Sequence, residues 1–199
     1  MAITMENSRV LQWVKEARVF QANHGALTTP AAFETDLVRQ TPDLMVRVPP
    51  GVVIVPIFTS VNAEATDTAV QQVLISICNN DPGTTGKTQF TPVNANSRYA
   101  TTGSTVTAWI TSTDNSGNAP TGVSDVYRAY VQPRIDNVGT GSAPFEQALY
   151  APLSGMGAPC AVGSKDVMNA FLVYVGMAGT ATGYILSAWA EFTYDEFYA

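Results

Sequence analysis

The chain has 199 residues, 46% of them hydrophobic and 13% charged, with a formal net charge of −6. A globule of this size buries about 70% of its unfolded surface, enough to fold as one domain without disulfides or metals. The acidic balance argues against a nucleic-acid grip built on phosphate neutralisation, and no apolar run approaches the roughly 18–20 residues of a membrane span.

Glu6, Arg9, Lys15, Glu16 and Arg18 interrupt the first twenty residues, so no secretory leader is expected. Across 8–20, Val10, Trp13, Val14 and Ala17 recur at helical spacing, with Glu6 near the start and Lys15 and Arg18 near the end. That order suits the helix dipole, and the spacing predicts an amphipathic helix. Asn23-His24-Gly25 breaks it. Thr29-Pro30 then reads as an N-cap and first-turn proline of a short helix reaching about Val38, closed by Thr41-Pro42. Residues 1–40 are therefore expected as a helical N-terminal arm, with basic and acidic side chains interspersed rather than polybasic.

After Pro42 the period becomes alternating. Strands are expected at 44–48, at 51–64 after the Pro49-Pro50-Gly51 turn, and at 70–79 with Val73, Ile75 and Ile77 on one face. Pro56 marks an edge, a bend or a bulge in the long second strand. Strand 104–112 points Val106, Ala108 and Ile110 inward and Trp109 outward, and 125–132 groups Tyr127, Ala129 and Val131. In 167–177, Phe171, Val173 and Val175 oppose Leu172 and Tyr174, so both faces look covered. In 184–194, Leu186, Ala188, Ala190 and Phe192 form the apolar series, with Ser187, Trp189 and Glu191 opposite. Trp109 and Trp189 then cap a second layer or serve as anchors for a partner. Polar loops are expected at 79–103, 112–124, 133–146 and 153–166. This pattern predicts an all-β fold over 41–199, an antiparallel β-sandwich of jelly-roll type with about eight strands; a closed up-and-down barrel is the alternative.

Few residues invite catalysis. Asp81-Pro82-Gly83-Thr84-Thr85-Gly86-Lys87-Thr88 imitates a P-loop, but Asp81 stands where the first glycine belongs and Gln89-Phe90-Thr91-Pro92 cannot begin the required helix. An exposed strand-to-strand loop is expected instead. His24, the only histidine, reads as a solvated loop residue. Cys78 and Cys160 read as unpaired thiols, and Asp114, Asp125, Asp136 and Asp166 as solvated loop carboxylates. No enzyme activity, cofactor or metal site is expected. The terminal Tyr194-Asp195-Glu196-Phe197-Tyr198 run either folds onto its own domain or docks on a neighbour.

A helical arm before alternating strands, the segment TPDLMVRVPPGVVIVPIFTSVNAE (41–64) and the closing NAFLVYVGMAGTATGYILSAWAEFTYD (169–195) together resemble the single jelly-roll coat proteins of small icosahedral viruses and phages. The resemblance spans roughly 40–195 and implies self-assembly into a capsid, or decoration of one, in a virion assembled in the host cytoplasm. Its implied partners are copies of the chain and other virion proteins. Many such proteins grip their genome through a basic arm; the mixed arm here departs from that and favours a shell or decoration role in a DNA phage. Val10, Trp13, Val14, Phe20, Phe197 and Tyr198 are the candidate subunit-interface residues. The alternative is a carbohydrate-binding sandwich with Trp109, Tyr127 and Tyr130 as the sugar platform.

Overall fold

The computed structural model describes residues 5–26, 28–33, 37–65, 70–111, 120–131, 146–177 and 181–199. Helix α1 (Met5–Lys15) is followed by strands β1 (Val19–His24), β2 (Ala31–Ala32), β3 (Leu44–Val48), β4 (Val52–Ala65) and β5 (Gln71–Cys78). Next come β6 (Lys87–Phe90), β7 (Val93–Asn94), a 3-10 turn (Ser97–Tyr99), β8 (Thr107–Thr111) and β9 (Ser124–Val131). The chain closes with β10 (Glu146–Tyr150), a 3-10 turn (Pro152–Ser154), β11 (Val162–Ser164), β12 (Asn169–Met177), β13 (Ala181–Thr193) and the single-turn helix α2 (Tyr194–Tyr198).

The strands form two antiparallel sheets. One has the order β10-β4-β13-β1-β7, with β11 also on β4 and β2 also on β13; the other runs β6-β8-β3-β12-β5-β9. The fold is an all-β sandwich. Its pairings nest: β3 with β12, β4 with β10 and β11, β5 with β9, and β6 with β8. Later strands return beside earlier ones in reverse order, and β13 and β1 extend the β4 sheet on its far side.

The core lies between the sheets. Phe20, Ile54, Val61, Tyr150, Ile185 and Trp189 meet Leu44, Val46, Val73, Ile75, Phe171 and Val173. A second apolar cluster covers the outer face of the six-stranded sheet: Met45, Leu74, Cys78, Leu172 and Tyr174, flanked by Leu37 and Trp109. Strand β12 thus has both faces buried, as its two alternating series imply. Val106, Ala108 and Val131 also take the inward positions expected of them.

Several sequence expectations are corrected. Thirteen strands appear among the described residues rather than about eight, because β2, β6, β7 and β11 are only two to four residues long and leave no readable period. The first helix ends at Lys15, not Phe20. Ala17 takes a left-handed φ of 61°, and its amide donates to the Val14 carbonyl while Arg18 donates to Trp13, a Schellman closure with alanine where glycine is usual. Val19–His24 then runs as a strand between β13 and β7, inside the sheet. The second expected helix is replaced at Ala31–Ala32 by a short strand on β13, and 34–36 lie outside the described residues.

On β13 the core-facing series is Ile185 and Trp189, not Leu186 to Phe192. Ala188 and Ala190 are buried as well, so the strand is covered on both faces and apolar alternation cannot say which face looks inward. The bulge foreshadowed by Pro56 is present: Ala188 opposes Phe58 and Trp189 opposes Pro56, leaving Ile57 as the extra residue. Beside it β4 carries β10 only from Thr59 to Ala63 and β11 only from Val52 to Ile54, so the missing proline N–H falls between two partner strands.

Trp189 is 1% exposed at the heart of this packing. Trp189→Ala is expected to cost roughly 3–5 kcal/mol, and Trp109→Ala, only partly buried at the margin of the outer cluster, clearly less. Urea unfolding of both variants checks the order.

Candidate functional site

The two ends of the chain meet on Phe192, near the end of β13. The Trp13 ring from α1 stands edge-on to Phe192 at 5.4 Å, and Phe197 from α2 packs beside it at 5.8 Å. The Arg18 guanidinium lies 5.3 Å from the Phe192 centroid. Arg18 also donates to Glu16 at 3.0 Å and, through both terminal nitrogens, to Glu196 at 2.9 and 2.5 Å. Those Arg18 hydrogen bonds hold the Glu196 carboxyl below its ordinary pKa, and Glu196 in turn raises Arg18. Both partners are solvated, so the pair is worth only about 0–1 kcal/mol; its role is to fix α2 over the turn after α1. Thr193 caps α2 by accepting from the Glu196 amide.

Beside this cluster lies an open pocket of about 280 Å³, lined in part by Arg18, Phe20, Thr105, Glu191, Phe192 and Glu196. Glu191 is buried, yet its two oxygens accept from four donors: the Ser104 hydroxyl, the Trp189 indole N–H, and the Thr105 amide and hydroxyl. A carboxylate has about four such sites, so Glu191 is a filled strut tying the 104–105 loop to β13. No family model, curated protein or solved structure matches this chain.

The candidate interface residues divide. Trp13 and Phe197 converge on Phe192, while Tyr198 packs edge-on against Phe197 at 4.9 Å and tilted against Tyr194 at 4.6 Å. Val10 and Val14 are half-buried on α1, and the Val14 carbonyl accepts from the Asn96 side chain at 2.9 Å. Phe20 is a core residue and offers nothing to a neighbour. Phe192, Arg18 and Glu196, which organise the cluster, were not singled out by sequence reasoning, because nothing local signals a contact between positions 178 residues apart.

The sugar platform does not assemble. Trp109 belongs to the outer cluster on β8, its indole bonded to Thr107. Tyr127 packs inward on Tyr150 at 5.6 Å, and Tyr130 faces out, 62% exposed, on β9. Three strands separate β8 from β9. The P-loop-like segment is a connection between β5 and β6: Asp81 ion-pairs with Arg47, which holds its carboxyl below the usual range, and accepts from the Gly83 amide. Both cysteines are free, their thiols pushed up in pKa by burial. Asp125 is not simply solvated, since Arg39 grips it at 2.8 and 3.1 Å and Ser76 donates to it at 2.7 Å. Asp114 and Asp136 lie outside the described residues. Among the described residues, no three His, Cys, Asp or Glu side chains are grouped to hold a metal, and no helix is long and apolar enough to cross a membrane.

His24 is not a solvated loop residue. It ends β1 opposite Ile185 with its ring edge-on to Phe33 at 6.4 Å, and its Nδ1 is buried without a partner. Burial lowers its pKa, only partly offset by a hydrogen bond to the Asp43 backbone. The folded state therefore binds its proton less well than the unfolded chain, whose histidine titrates near ~6.5. Stability is expected to be full above that value and to fall as pH drops through it toward the folded pKa. With one histidine in the chain, His24→Gln should flatten this dependence in denaturant titrations across the same window. An unchanged slope would exclude His24 as its source.

Proposed function

We propose that this chain is a viral structural protein, of the phage kind, that self-assembles into or decorates an icosahedral capsid. The observation that carries the reading is the nested pairing of β3·β12, β4·β10/β11, β5·β9 and β6·β8. A jelly roll is an antiparallel ribbon rolled into two facing sheets, and such nesting is how a ribbon of that kind pairs. On this reading β13 and β1 widen one sheet, and the chain ends close over it.

The role is structural rather than enzymatic. His24 and the two thiols are buried or half-buried in packing, and Glu191 is committed to four donors, so the side chains best suited to catalysis are taken up by the frame. No cofactor enters the proposal. Partners are copies of the chain and other virion proteins, met after synthesis in the host cytoplasm. With a net charge of −6 and a mixed rather than polybasic N-terminal segment, the genome is enclosed without a direct electrostatic grip from this chain.

Light scattering and negative-stain microscopy of the purified protein, alone and with shells lacking it, test the reading. Rings, closed particles or saturable binding to shells are expected. A 21.2 kDa monomer that neither assembles nor binds shells would contradict it.

A further inference from the structure

Once Trp13 and Phe197 are engaged inside their own molecule, the exposed apolar residues must be sought elsewhere. At the end of the seven-stranded sheet where α1 and α2 sit, they fall on both edges. On one edge the Asn96 side chain donates to the Val14 carbonyl at 2.9 Å and the Asn94 side chain to Ala17 at 2.7 Å, binding α1 to the 93–99 stretch. This edge exposes Leu11, Tyr99 and Val93, the last 54% exposed, with the cations Lys15 and Arg98. Leu11 and Lys15, four apart, share one flank of the helix.

On the other edge, the Tyr194 amide donates to Gly51 and the Gly51 amide to Ser164, tying α2 to the end of β11. Val167 is 48% and Tyr198 59% exposed here, beside the carboxylates Asp166 and Asp195. Lys165 is the neighbouring cation, and Glu196 is already held by Arg18. Among the described residues, no ion pair engages Lys15, Arg98, Asp166 or Asp195. Across the order β11-β4-β13-β1-β7, strands β11 and β7 stand four strand spacings apart, about 19 Å, and α1 and α2 meet between them through the Arg18–Glu196 pair.

We infer that these edges are complementary halves of one head-to-tail contact: the basic α1/β7 edge of one copy seats on the acidic β11/α2 edge of the next. Each half has an apolar centre with charge at its rim, the composition of a protein interface, and the signs are opposite. Two different patches on one molecule make the contact heterologous, so repetition gives a ring or an extended array rather than an isolated dimer. The inference rests on the self-assembly reading and names the surfaces through which it proceeds.

The test measures self-association of the full chain by light scattering over a concentration series, at low and high salt. Lys15→Glu with Arg98→Glu, and separately Asp166→Lys with Asp195→Lys, should each weaken association about tenfold or more. The fourfold swap should restore it to within about threefold of wild type. Wild-type association should also weaken as salt rises. All four positions are exposed, and circular dichroism verifies that each variant folds. Wild type and both reversals associating equally would overturn the inference, leaving assembly to another surface and these edges to a different partner. A wild type that stays monomeric throughout would overturn both the contact and self-assembly.

Discussion

The structure depends on the pairing of β13 with β4. These are the two longest strands, 13 and 14 residues, and their ladder runs from Ala181·Ala65 to Thr193·Val52 with one bulge. The rest of the seven-stranded sheet builds out from them: β10 and β11 attach to β4, β1 and β2 to β13, and β7 to β1. Trp189 projects from this ladder into the sandwich, and Glu191, two residues on, holds the 104–105 loop with its filled carboxylate. β4 ends at Ala65 and β13 begins at Ala181, so closing this sheet joins segments far apart in the sequence. Contacts so far apart in sequence favour slow folding.

The same strand explains why the chain ends meet. β1 pairs with β13 from Val19·Ala190 to His24·Ile185, which brings α1 to the strand's far end, where α2 also begins. Phe192 and Arg18 then join the two helices by ring packing and a forked ion pair. A single-turn helix has too few internal hydrogen bonds to stand alone. The aromatic-acidic terminus of the sequence is thus folded onto its own domain, with Tyr198 at its exposed margin.

The sheet-forming half of the fold was legible because alternation survives wherever one face is buried: Val106 and Ala108, Tyr127 to Val131, and both faces of β12 all read correctly. The reading failed where local signals and tertiary context disagree. The helix expected over 8–20 runs on into Val19 and Phe20, where only the left-handed Ala17 separates helix from strand, and alanine does not announce that conformation. On β13 the small buried Ala188 and Ala190 mimicked a core face while Trp189 took the core. His24 illustrates the same limit, since a glycine-flanked turn in the sequence is the half-buried end of a strand in space. The clustering of Trp13 with Phe197 was legible only as two separate aromatic segments; Arg18 and Glu196, which join them, are ordinary surface charges until the sheet brings them together.

If the β13–β4 ladder is the spine, it must be the last part of the molecule to open. Native-state hydrogen exchange resolves this residue by residue. Amides of Ile185 to Ala190 and of Val53 to Val61 that are bonded within the ladder should exchange only through global unfolding, with α1 exchanging far sooner. Amides in β13 exchanging as readily as those of α1, while β12 and β5 stay protected, would contradict the account.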